Sequence, residues 1–83
     1  MVSVIKAGIV LQGDGGVSSG AEVLQCKPAV GYEHCTIVLC KAPKSVHHPF
    51  VVWTYNETTG RCSDGNYYDN VVDAAKRFEE RTW

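Results

Sequence analysis

Residues 50–60, FVVWTYNETTG, and residues 69–80, DNVVDAAKRFEE, decide how this chain folds. In the first stretch Val51, Trp53 and Tyr55 alternate with Phe50, Val52 and Thr54. That two-residue period belongs to a strand with one set of side chains on each face. Asn56-Glu57-Thr58-Thr59-Gly60 supplies a turn, with Gly60 suited to a positive φ, and Arg61 to Ser63 start the return strand. In the second stretch Val71, Ala74, Ala75 and Phe78 fall at i, i+3, i+4 and i+7, one apolar stripe along a helix. Asp69 is the expected cap, its carboxylate meeting orphan N–H groups and the positive end of the helix dipole. Asp73 with Arg77 and Lys76 with Glu80 stand at i,i+4 on the solvent side.

Working outward, Tyr32 to Lys41 reads as a strand, and its run Cys35-Thr36-Ile37-Val38-Leu39-Cys40 is apolar enough to be covered on both faces. A polar connection from Ala42 to Pro49 precedes the hairpin. Ala21 to Cys26 alternates as a strand that Pro28 ends, and Val2 to Leu11, rich in β-branched residues, reads as a first strand weakened at Gly8. Residues 13–20, with Gly13, Gly15, Gly16 and Gly20, have the composition of a loop. The expected fold is α+β: an antiparallel sheet of about four to five strands with one C-terminal amphipathic helix packed on one face.

Eighty-three residues form one domain, which hides roughly 60–65% of the surface its unfolded chain exposes. One helix covers only part of such a sheet. The face carrying Val38 and Cys40, or their alternates, is therefore expected to lack cover, and pairing with a second copy would supply it. Net charge is −1 with no basic block beyond Lys41 and Lys44, which argues against strong nucleic-acid binding and against a polybasic membrane patch. The run Ala7 to Leu11 is too short to span a bilayer and lacks a signal-peptide pattern, so the expected location is the cytoplasm. There the thiols of Cys26, Cys35, Cys40 and Cys62 stay reduced, and the triplet Asn56-Glu57-Thr58 carries no glycan.

Four groupings have the residue types of chemistry. His34, Cys35, Cys40, His47 and His48 include zinc ligands, but there is no Cys-x-x-Cys, and odd spacing sends Cys35 and Cys40 to opposite strand faces; no metal and no cofactor are expected. A Cys–His pair is open to any fold, yet no thiol is placed at a helix N-terminus, and no catalytic residue is assigned. The glycine-rich loop matches no phosphate-binding spacing. The aromatic residues Trp53, Tyr55, Tyr67 and Tyr68, with His48 before them, are the interface or ligand candidates. Trp53 and Tyr55 are expected to pack under the helix against Phe78. If Phe50 and Val52 face it instead, an exposed aromatic strip would mark an interface.

The series His48-Pro49-Phe50-Val51-Val52-Trp53, Asn56, Gly60, Gly65-Asn66-Tyr67-Tyr68-Asp69, and Ala75 through Phe78, Glu80 and Arg81 resembles a group of short uncharacterised bacterial proteins of plasmids, phages and integron gene cassettes. It departs from their pattern with Asp64 in place of an aromatic residue and Asn66 in place of a histidine. The resemblance implies strands, a Trp-bearing hairpin, a Gly-x-Tyr-aromatic turn and one closing helix, in a mobile-gene setting, with no activity attached. The leading expectation is a non-enzymatic binding or adaptor protein acting as a homodimer. The alternatives are a small-molecule-binding or catalytic protein with a pocket near Tyr67–Asp69, reached by Cys62 or His48, and a single-strand nucleic-acid binder using Trp53 and Tyr55 with Lys41, Lys44 and Arg61.

Overall fold

The computed structural model describes residues 6–11, 20–43 and 47–83. The start of the expected first strand, most of the glycine-rich loop and Lys44 lie outside the described residues. Four strands follow in chain order: β1 Glu22–Pro28, β2 Cys35–Lys41, β3 Phe50–Asn56 and β4 Arg61–Tyr68, with helix α1 Val71–Glu80 closing the chain. They form one antiparallel sheet in the order β1-β2-β3-β4, the α+β architecture expected. Of the strand proposed over 2–11, the described part flanks β1 through a single bridge between Val10 and Glu22. Backbone bonds from Gly8 to Val23 and from Leu11 to Ala21, both 2.8 Å, hold it there.

The β3–β4 hairpin turns as its residues require. Asn56 Oδ1 accepts from the backbone N–H groups of Thr58 and Thr59, and the Gly60 N–H donates to the Asn56 carbonyl at 2.8 Å. That closure needs a left-handed residue, and Gly60 supplies it at φ 72°. β4 then runs on through Gly65-Asn66-Tyr67-Tyr68, which corrects the expectation of a turn there. Glycine and asparagine favour turns locally, but in β4 they accommodate a bulge: Val52 pairs with Asn66 and Thr54 with Ser63, leaving Trp53 opposite both Asp64 and Gly65. Asp64 takes a φ of 55° at this point.

The sheet has two buried faces. Ile37, Leu39 and Val52 meet Ala74 and Phe78 of the helix, with Phe50, Tyr68 and Ala75 at the margin. Val23, Val38, Cys40, Val51 and Trp53 form the opposite cluster with Leu11 and Ala21. The helix therefore covers the Phe50–Val52 face, and Trp53 and Tyr55 do not pack against Phe78. No bare aromatic strip results, because Trp53 is 4% exposed. Val38, Cys40 and Val51 are fully buried within the single chain, so the shortage of cover from which a homodimer was inferred is absent. Among the described residues the largest fully buried aliphatic side chains are Val23, Ile37, Val38, Leu39, Val51 and Val52, each contributing about 1.5–3 kcal/mol of transfer free energy.

The helix begins one residue later than expected. Asn70 is the N-cap: its Oδ1 accepts from the Asp73 N–H at 2.9 Å, and its Nδ2 donates to Asp73 Oδ2 at 3.0 Å. Asp69 is engaged elsewhere, with His48. Asp73 and Arg77 likewise turn to Asn70 and Asn66 in place of each other. Val71 stays 43% exposed, and the buried stripe instead runs Ala74, Phe78 and Arg81.

A Cβ built on Gly65 would stand 2.7 Å from Trp53 Nε1 and 2.9 Å from Cδ1. We therefore expect Gly65→Ala to lower stability by about 1–3 kcal/mol in urea denaturation. Combining it with Trp53→Phe should cost less than the sum of the two single changes, since the smaller ring relieves the contact.

Candidate functional site

The site is built where the bulge in β4 meets the end of the helix. A bulge adds one residue to one strand, so residues on its two sides no longer keep the ordinary alternation. Ser63 and Asn66, an odd number apart, consequently face the same side, opposite Thr54 and Val52. Asn66 is thereby turned toward α1. Asp64, Gly65 and Asn66 form one wall of a cleft of about 340 Å³, Arg77, Glu80 and Arg81 the other, and Thr82 with Trp83 close its end.

Arg81 organises this cleft. Its side chain is buried and spreads over two strands: Nη1 donates to the Val52 carbonyl at 2.9 Å and to Asn66 Oδ1 at 3.0 Å, and Nη2 donates to Thr54 Oγ1 at 2.7 Å. Nε donates to the backbone oxygen of Trp83 at 2.6 Å, and the guanidinium sits 5.8 Å from the Trp83 ring centre. Arg77 Nε donates to the same Asn66 Oδ1, at 3.3 Å. Two cations thus share one neutral acceptor. Burial pushes the Arg81 pKa down; Asp64 partly offsets this and Arg77 adds to it. Trp83 is 54% exposed, and the Val30 N–H donates to the Thr82 carbonyl at 2.6 Å, tying the β1–β2 loop to this end of the molecule.

The residues singled out from sequence are dispersed. Trp53 is buried, with Tyr67 edge-on to it at 6.1 Å and 89°. Tyr67 is exposed at its outer face. Tyr55 is half-buried on the Trp53 side, its phenol pKa raised by burial first and then by Cys62 and Glu57. Tyr68 is half-buried on the helix side, opposite Phe50. His48 Nδ1 lies 2.5 Å from Asp69 Oδ1 in an exposed pair that pins the β2–β3 connection to the start of the helix. This pair brings His48 to Asp69, and neither residue lines the cleft. Cys62 lies away from it, opposite Tyr55 on the other face of the sheet.

Cys35 and Cys40 do fall on opposite faces, one toward the helix and one in the Trp53 cluster. Among the described residues no group of three or more His, Cys, Asp or Glu is arranged to hold a metal ion. No helix among them is long and apolar enough to cross a membrane. Sequence reading missed Asn66, Arg77 and Arg81 as a group. The available signal was the helical spacing of Arg81 behind Ala74 and Phe78, which puts a cation on the buried stripe. Compared with family models, curated proteins and solved structures, the chain matches none.

Variants of Arg81 and the chemistry of Cys40 check this geometry. Arg81→Met should destabilise by about 2–4 kcal/mol, because it strips donors from Val52, Thr54 and Asn66, and Arg81→Lys should recover little, an ammonium being unable to span all three. Burial also drives the Cys40 thiol far above its ordinary value of 9.0, with Cys62 and Cys26 adding to the rise. A raised thiol pKa stabilises the fold fully below the unfolded value. That contribution is lost as pH climbs above 9.0. The midpoint of urea unfolding should accordingly fall at alkaline pH, less so in Cys40→Ala, and iodoacetamide should spare Cys40 in the native protein at neutral pH.

Proposed function

We propose that this chain is a small non-enzymatic binding protein whose ligand occupies the cleft between the β4 bulge and the end of α1. The observation that carries the reading is the way the cleft is built. Asn66, Arg77 and Arg81 are fixed to one another by hydrogen bonds, and Arg81 is anchored to the backbone of β3. A polar lining held in one geometry before a ligand arrives saves the cost of ordering it on binding. The groups presented are guanidinium, amide, carboxylate and indole, which recognise ligands by hydrogen bonding, charge and stacking.

The bulge supports the same assignment. It interrupts the ladder and holds Asp64 at a positive φ on the wall of the cleft, a conformation that costs an aspartate free energy and that folds commonly retain beside binding sites. The aromatic residues first nominated contribute to scaffold in this reading. Trp53 is buried and offers no open ring face on which a base could stack.

A ¹⁵N-HSQC screen of the full chain against a library of small polar fragments tests the proposal. Shifts clustered at residues 64–66 and 77–83 are the expected result. Fragment responses clustered elsewhere, with this cleft silent, would refute it.

A further inference from the structure

The cleft holds two positive charges around a neutral atom. Arg77 Nε and Arg81 Nη1 both donate to Asn66 Oδ1, at 3.3 and 3.0 Å. Among the described residues no Asp or Glu carboxylate lies within 4 Å of either guanidinium, although Asp64 and Glu80 line the same cleft, and Arg81 Nε meets the Trp83 oxygen at 2.6 Å. Like charges gathered on one amide oxygen repel, and a neutral acceptor compensates them less than an anion would.

The two arginines differ in what they have left to give. Arg81 spends its donors on Val52, Thr54, Asn66 and Trp83. Arg77 is exposed, lines the cleft and commits Nε to Asn66, which leaves its terminal nitrogens Nη1 and Nη2 to meet an incoming ligand. Such a planar fork fits a carboxylate in two parallel hydrogen bonds. Beside it Trp83 presents a half-exposed indole, a flat apolar wall for the remainder of the ligand.

Resting on the cleft assignment above, we propose that the ligand is a small organic carboxylate with an apolar or aromatic body. Its carboxylate binds the Arg77 fork beside Arg81, and its body lies against Trp83. Asp64 and Glu80 set the selectivity: they repel a polyanion while tolerating one negative charge seated on the guanidinium. A cleft of about 340 Å³ suits a molecule of this size.

The test is an HSQC titration with phenylacetate, phenethylamine and inorganic phosphate as separate probes, following the Arg77 and Arg81 Nε–H signals and the Trp83 indole N–H. Phenylacetate should move all three signals saturably, and the other two probes should not. Arg77→Gln, at an exposed position, should weaken phenylacetate about tenfold, and Arg77→Lys should recover only part of that, because it restores the charge and not the fork. Equal response to phenethylamine, or phenylacetate affinity unchanged in Arg77→Gln, would overturn the carboxylate assignment while fragment binding at residues 64–66 and 77–83 still upheld the cleft. Silence of the cleft toward every probe and fragment would overturn both.

Discussion

The contact between Trp53 and Gly65 is the constraint on which the rest of this structure depends. The indole stands so close over β4 that position 65 has no room for a side chain. Trp53 is opposed by two residues, Asp64 and Gly65, and the sheet accommodates the extra one as a bulge. From that point the two halves of β4 are out of step. Cys62 and Tyr67, which regular alternation would send to opposite faces, both lie on the Trp53 side. Asn66 is left facing the helix, where Arg77 and Arg81 meet it.

Arg81 then completes what the bulge begins. A guanidinium buried among apolar side chains is costly unless its N–H groups are satisfied. Here the acceptors come from β3, β4 and the segment after the helix, so the arginine joins these elements and adds to the apolar contacts of Ala74 and Phe78. Lys27 reinforces the same docking from the far side, its ammonium 4.9 Å from the Phe78 ring centre and donating to the Glu79 carbonyl at 3.2 Å. The cleft is the space between these fastenings. Its polar lining is therefore part of the scaffold, which is why binding there would be pre-organised.

Much of the architecture was legible from local pattern. The alternation of residues 50–55 identified β3 and sorted its side chains correctly onto two faces. Gly60 was identified as the left-handed turn residue, and the i, i+3, i+4, i+7 stripe located the helix. The cap was misplaced by one residue because Asp69 and Asn70 are both good caps. The deciding signal was Asp73, three residues after Asn70, which completes a reciprocal pair. The turn at Gly65-Asn66-Tyr67-Tyr68 was implied by the resemblance alone, and a pattern of neighbouring residues cannot show a tryptophan arriving from the adjacent strand.

Sequence by itself determined the class of fold: strand periods, turn chemistry and one amphipathic helix are properties of neighbouring residues and need no knowledge of distant ones. Tertiary structure alone decided which face of β3 the helix covers, since the alternation of Val52 with Trp53 makes both faces apolar. It also decided that the opposite face is closed within the chain. The candidate site belongs wholly to this second category. Asn66, Arg77 and Arg81 are ordinary surface residue types in sequence, and it takes a bulge on one strand and a burial on the next element to bring the two arginines to the single amide oxygen of Asn66.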